Sequence, residues 1–332
     1  MNKSNLSQLL LEWYGRCGRE LPWRVKGGAH PDPYVILVSE FMLQQTTVKT
    51  VIPYFHRFMR RFPSVADLAA ASEEEVYLYW QGLGYYTRAR SLHRTAKMIM
   101  EDFGGVFPKN KADVLKLKGI GPYTVASFLA LAFNQPETVI DGNVIRVICR
   151  LYHLTDPVTE ITDIIRQKAE ALTDKDNPAD YASAIMDLGA MVCTPKNPQC
   201  LLCPWQKYCR SKDDSALENI PRRGKPEKKI REGRVFLIFN EKGEVLIRKR
   251  TEKGLLSGLY EFPWTETEGK IGGKDTGRTV SHVFTHFKLT LKIFEVKNLQ
   301  NLPDGFFAAP AELENYPFST LMKKVWQKFL NK

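Results

Sequence analysis

The sequence predicts a mostly α-helical domain that ends in a cysteine-rich loop, followed by a smaller α+β domain. Three observations carry this reading. Up to about residue 215 apolar residues recur at three- and four-residue spacing, the period of an amphipathic helix. Four of the six cysteines fall in the single stretch CTPKNPQCLLCPWQKYC (193–209). Beyond a polar, proline-containing segment the period drops to two, the mark of strands. The length of 332 residues accommodates about two domains of ordinary size. The expected division is 1–215, a basic linker over 216–234, and 235–332.

The elements follow in order. The first helix is expected near the N-terminus, with Leu9, Leu10, Trp13 and Tyr14 on one side. That stretch carries no apolar core followed by a small-residue cleavage site, so it does not read as a secretory signal. No run approaches the ~20 apolar residues of a membrane span, and a soluble, cytoplasmic protein is expected. Helices are read in SVADLAAASEEEVYLYW, YTRARSLHRTAKMIM and TVASFLALAF, with Pro63, Pro108, Pro136, Pro157 and Pro178 punctuating them. Ser72 ahead of three glutamates is a candidate N-cap. After Cys209 the segment SKDDSALENIPRRGKPEKKIREGR reads as a linker. RVFLIFN and EVLIRKR flank a turn as a hairpin, HFKLTLKIFEV alternates as a strand, and PAELENYPFSTLMKKVWQKFL closes the chain as a helix.

Charge narrows the partner. The net charge is +11, which suggests a polyanion such as nucleic acid. It is distributed as +2 over residues 1–219, +5 over 220–235 and +4 over 236–332. That distribution argues against a uniformly basic nucleic-acid coat. Arg222, Arg223, Lys225, Lys228, Lys229, Arg231 and Arg234 are instead expected to act as an electrostatic strap.

The spacing of Cys193, Cys200, Cys203 and Cys209 is C-x6-C-x2-C-x5-C. Four thiolates on so short a loop can wrap one metal centre. Structural zinc sites more often use two C-x-x-C knuckles, whereas iron–sulfur clusters tolerate such uneven loops. Zinc and unligated thiols remain as alternatives. Lys196, Lys207 and Arg210 in or beside the loop can present positive charge to phosphates. Cys17 and Cys149 read as ordinary thiols.

Gly119 and Gly121 flank Ile120 between two helical segments, where a tight turn leaves backbone N–H groups bare at a helix N-terminus. Such a turn can hold a phosphate without reading sequence. Asp141 precedes a further helix, as an N-cap or a catalytic carboxylate, and Asn143 is placed to hydrogen-bond it. Glu40, in PYVILVSEFMLQQT, projects from a largely apolar helix face, where desolvation would let it hold a proton near neutrality. A poised acid beside a carboxylate suits glycosidic bond cleavage.

Taken together with LPWR (21–24), SEFMLQQT (39–46), QGLGYYTRAR (81–90) and IDGNV (140–144), these features resemble the helix–hairpin–helix DNA glycosylases that carry a 4Fe–4S cluster. Within them the chain is similar to the MutY family of adenine DNA glycosylases. The resemblance implies a monofunctional enzyme acting on adenine opposite 8-oxoguanine, or guanine, in duplex DNA. It also implies a 4Fe–4S cofactor, a monomer, and no membrane partner. It assigns Glu40 to protonation of adenine N7 and Asp141 to the oxocarbenium ion, with Tyr123 and Asn143 assisting. Gln45 and Tyr85 would fill the gap in the stack, Gly119 and Gly121 would hold DNA, and Arg24 would share adenine selectivity with Glu40. The C-terminal domain resembles the family's Nudix-like domain but lacks the acidic helix of active pyrophosphohydrolases. The family's Phe-Ser-His loop for 8-oxoguanine becomes Phe284-Thr285-His286. Ser183 stands where relatives often carry Gln or Glu. A lyase of the endonuclease III type would need a lysine where this chain has Tyr123. A non-catalytic iron–sulfur DNA-binding or redox protein gains nothing from the two carboxylates.

Overall fold

The computed structural model describes residues 3–25, 31–222, 224, 229–252, 254–267 and 271–331. Its helices are α1 (Lys3–Cys17), α2 (Pro33–Leu43), α3 (Val48–Arg61), α4 (Val65–Ala70), α5 (Glu73–Trp80), α6 (Tyr86–Phe103), α7 (Lys111–Lys116), α8 (Pro122–Phe133), α9 (Gly142–Tyr152), α10 (Thr162–Glu170), α11 (Pro178–Asp187) and α12 (Thr320–Leu330). A π turn over Leu188–Val192 and short 3-10 turns in the cysteine loop follow α11. Among the described residues no helix is long and apolar enough to cross a membrane.

Two compact units result, and neither is continuous in sequence. One comprises Met1–Ala69 and Arg94–Gly224, the other Ala70–His93 and Lys225–Lys332. The segment 70–93, with α5 and the start of α6, thus belongs with the C-terminal residues, which helical periodicity alone does not reveal. Its attachments are specific. Gln81 Nε2 donates to the Phe318 carbonyl at 3.2 Å, and Arg90 Nη2 donates to the Ser257 carbonyl at 2.7 Å. Ser72 caps α5 as expected, accepting from the Glu75 N–H at 3.1 Å.

In the first unit Leu6, Leu10, Trp13 and Tyr14 of α1 pack on Val147, Ile148 and Leu151 of α9 and on Tyr181 and Ile185 of α11. Among its described residues the first unit is helices and connecting turns apart from one isolated bridge between Pro157 and Arg222, matching the expected period.

The second unit is built on a mixed sheet. Its strands are β1 (Lys229–Phe239), β2 (Val245–Lys249), β3 (Tyr260–Glu261), β4 (Trp264–Thr265), β5 (Lys274–Val283), β6 (Phe287–Lys297) and β7 (Phe306–Ala308). The main path runs β3-β2-β1-β6-β5, with β1 and β6 parallel from Lys229↔Phe287 to Phe239↔Lys297. Val235 and Leu237 face one core with Leu289, Leu291 and Ile293, while Phe236 and Ile238 face a second. A strand covered on both faces reads as an unbroken apolar run, as VFLIF does.

Two expectations shift. Strand β1 starts at Lys229, so Lys229, Arg231 and Arg234 stand on a strand rather than in a linker. Arg231 pairs with Glu266 and lies over the Phe287 ring. Of the rest of the expected strap, the Arg222 carbonyl accepts from the Val158 N–H at 3.2 Å. Arg223, Lys225 and Lys228 lie outside the described residues. The C-terminal helix is also shorter than expected. Pro317 lacks an N–H and disfavours helix in the residue before it. Pro310–Asn315 forms a 3-10 turn instead, and α12 starts afresh behind Ser319, whose hydroxyl accepts from the Met322 N–H.

Candidate active site

Asp32 and Pro33 start α2, the Asp32 carboxylate accepting from the Tyr34 N–H at 2.8 Å. The helix buries Ile36, Leu37, Val38, Phe41 and Met42, so it is enclosed nearly all round, and Glu40 is carried inside with 5% exposure. Burial pushes the Glu40 carboxyl up to about 7. The neighbouring Asp141 charge contributes to that rise, and Ser127, Arg24 and Tyr123 offset part of it. Glu40 is thus not a rim residue reaching solvent.

The cavity it faces measures about 740 Å³, within the ~300–1,000 Å³ range of ligand pockets. Arg24, Gln45, Tyr123, Asp141, Asn143 and Ser183 line it with Glu40. Asp141 caps α9: its Oδ1 accepts from the N–H groups of Asn143 at 2.8 Å and Val144 at 2.7 Å. Asn143 Nδ2 donates to the other carboxylate oxygen at 2.9 Å. The cap and the carboxylate role are therefore the same geometry, and the cap contributes about 1 kcal/mol. Arg146 Nη2 in turn donates to Asn143 Oδ1 at 2.9 Å and to the Gly189 carbonyl at 2.6 Å. Gly189 lies so close that a Cβ there would meet the Asn143 Cβ at 2.6 Å. Tyr123 follows Gly121-Pro122 in the first turn of α8, and burial with the Glu40 and Asp141 charges holds its phenol far above the ordinary range. It therefore remains a protonated donor.

The turn before α8 is exposed and open. Gly119 adopts φ +74°, a left-handed conformation that glycine accepts without strain. Gly121 is the N-cap, and a Cβ there would meet nothing within 4 Å. Ile120 is buried and anchors the turn.

Cys193, Cys200, Cys203 and Cys209 line a separate small cavity with Arg150. Arg150 is fully buried and donates to the carbonyls of Thr194, Pro195, Leu217 and Ile220, tying the loop to α9. Arg146 Nε also donates to the Cys193 carbonyl at 2.7 Å. Burial pushes the Cys203 thiol up to about 12, with the other three cysteines adding to the rise. Lys196, Lys207 and Arg210 are exposed.

Phe284, Thr285 and His286 form the turn between β5 and β6, not the start of a strand. In the same unit they line a cavity of about 390 Å³ with Tyr85, Leu255 and Leu256. Thr285 Oγ1 donates to Tyr85 Oη at 3.3 Å. Tyr85 itself is 44% exposed at φ +48°. Of the two residues that the resemblance assigns to the gap in the stack, Gln45 lines the first unit's cavity and Tyr85 the second unit's.

Residues 38–172 match the HhH-GPD superfamily of base excision DNA repair proteins, 193–209 the iron–sulfur binding domain of endonuclease III, and 234–328 the NUDIX domain. Over 258 residues the chain is 36% identical to the adenine DNA glycosylase of Buchnera aphidicola subsp. Baizongia pistaciae, spanning 77% of this chain and 72% of that one. It is 33% identical over 398 residues to the adenine DNA glycosylase of Rattus norvegicus, spanning 96% and 77%. The chain belongs to the adenine DNA glycosylase family. A thermostable thymine-DNA glycosylase structure is similar to the helical part, with a TM-score of 0.56 and 28% identity over 63% of this chain and 96% of that one.

With its iron–sulfur binding domain over residues 193–209, the chain carries a 4Fe–4S cluster, and the donor set fits. Burial holds the protons on the Cys200, Cys203 and Cys209 thiols, and such thiols give them up to a metal centre; Cys193, Cys200, Cys203 and Cys209 are the residues that would hold it. When bound, the cluster cross-links the loop.

Two residues of this adenine DNA glycosylase family member escaped the sequence reading. Asp187, at 0% exposure, accepts from Arg19 Nη2 at 2.6 Å and Arg24 Nη1 at 2.8 Å. Arg24 therefore enters the cavity already paired. A lone acid within the apolar run AIMDLGAM was the available signal. The other is Ser127, an interior residue of α8.

Proposed function

We propose that the chain is a monofunctional DNA glycosylase that hydrolyses the N-glycosidic bond of adenine paired with 8-oxoguanine or guanine in duplex DNA. The observation that carries this reading is a buried carboxyl poised near neutrality, Glu40, sharing one cavity with the backbone-held Asp141 carboxylate. The adenosine is flipped out of the stack into that cavity. Glu40 gives its proton to adenine N7, which lets the base accept the electrons of the breaking bond. Asp141 stabilises the positive charge that grows at C1′, held by Asn143, while Tyr123 assists. Water adds to C1′ and gives its proton to the Glu40 carboxylate, which leaves free adenine, an abasic site and the acid restored. Gly119 and Gly121 offer backbone N–H groups to phosphate, and Gln45 fills the stack. Arg24, fixed by Asp187, sets the field at Glu40, and Ser183 reaches adenine through water.

Partner-base reading is assigned to Phe284, Thr285 and His286, with Tyr85 alongside. The Thr285 hydroxyl supplies the polar contact. The protein works as a monomer.

The test is a duplex with one adenine opposite 8-oxoguanine, treated with and without alkali after incubation. Free adenine and strand breaks only after alkali are expected. Breaks without alkali would point to an amine nucleophile, for which Lys49, exposed at the cavity's edge, is the candidate. Absence of adenine release overturns the assignment.

A further inference from the structure

Beside Glu40, behind the residues that line the cavity, lies a buried hydroxyl to which the mechanism gives no task, that of Ser127. Ser127 lies on α8 four residues after Tyr123, so both share a face of the helix, and α8 packs against α2. Its side chain is wholly buried. The hydroxyl lies against the Glu40 carboxyl and the Tyr123 phenol, yet it completes no hydrogen bond of ordinary geometry. A buried hydroxyl without a partner is costly, so a partner that arrives in another state of the site accounts for its place.

We propose that Ser127 is a positioning residue for Glu40, its hydroxyl donating to the carboxylate that Glu40 becomes when it releases its proton. The inference rests on the reading of Glu40 as the acid. In the step, the proton passes from the Glu40 carboxyl oxygen to the base nitrogen and the glycosidic electron pair goes to the base. Ser127 keeps its own proton and turns it toward the vacated oxygen. A hydrogen bond to a carboxylate is about twice as strong as one to a neutral acid. The contact therefore favours the transition state over the resting state, the condition for acceleration.

Four groups face Glu40: Asp141 from the start of α9, Arg24 from the segment after α1, and Tyr123 and Ser127 from α8. Ser127→Ala leaves the other three in place. Alanine suits a helix better than serine and removes an unpaired hydroxyl, so the variant should melt no lower than the wild type.

The experiment measures single-turnover adenine release from pH 5 to 9, and follows the Glu40 carboxyl by 13C NMR in the free, cluster-loaded protein. Loss of a hydrogen bond to a charged group should slow the low-pH plateau by roughly ten-fold. Since the same bond favours the ionised carboxyl, Glu40 should titrate about one pH unit higher in Ser127→Ala, and the alkaline limb should move up with it. An unchanged titration overturns the proposal, whatever the rate does. A shifted titration in a protein that releases no adenine leaves Ser127's link to Glu40 standing and overturns the enzymatic reading instead.

Discussion

Glu40→Gln separates stability from catalysis through a single carboxyl. Glu40 titrates at about 7 in the folded protein against 4.5 in its ordinary state. At about 1.36 kcal/mol per pH unit, burying the ionised form costs about 3 kcal/mol. The folded value is the higher one. The native state therefore binds the extra proton, and its stability is full below pH 4.5 and declines as pH rises through about 7. Glutamine matches the neutral acid and carries no such cost. Urea unfolding of both proteins at pH 4.5 and pH 8.5 should show the variant gaining about 3 kcal/mol on the wild type between those conditions. The same substitution removes the donated proton, so adenine release should fall by ~100- to 10,000-fold, the span of general acid catalysis, while duplex binding persists. A variant that gains nothing at pH 8.5 would refute the buried-acid reasoning, and one that turns over normally would refute the assignment of the acid.

Three further outcomes follow from the geometry. Asp187→Asn leaves Arg19 and Arg24 without their buried counter-charge and should destabilise the protein by about 3–5 kcal/mol at neutral pH. Its arginine partners hold the Asp187 carboxyl below the usual carboxylate range against the opposing effect of burial. Stability from this group is therefore present at neutral pH and lost as pH falls into the acidic range, so the gap between variant and wild type should narrow in acid melts. Thr285→Val keeps the side-chain shape but removes the hydroxyl that meets Tyr85. It should reduce the preference for 8-oxoguanine over guanine by about ten-fold in competition binding, with adenine release opposite guanine unchanged. Removing iron with an oxidant and chelator should bleach the protein and weaken duplex binding in a filter assay, because the loop bearing Lys196, Lys207 and Arg210 loses its cross-link. Undiminished binding would show that the loop holds its shape unaided.

Much of this was legible in the residues because the signals are local. Glu40 declared its burial through Ile36, Leu37 and Leu43 on the same helical turns, and Asp141 declared a cap by standing between an apolar run and a new helix. The four cysteines needed only their spacing. What the sequence concealed depends on pairing at long range. Nothing near Arg24 names Asp187, 163 positions away, as its partner. Nothing in QGLGYYTRAR shows that Tyr85 belongs with Thr285, 200 positions on. The parallel pairing of β1 with β6 turned Lys229, Arg231 and Arg234 from linker into strand, because a charged stretch can pair along its backbone when the neighbouring strand supplies the partners. Ser127 was hidden differently: a serine inside an apolar helix reads as filler until its burial and unmet hydroxyl are seen.

A single acid poised near neutrality, Glu40, is proposed to drive adenine release. The rate of single-turnover release from an adenine–8-oxoguanine duplex, followed from pH 5 to 9, tests it most directly. A plateau in acid and a ten-fold fall per pH unit above about 7, where Glu40 loses its proton, are the expected result. A rate that stays level or climbs from pH 7 to 9 would contradict it.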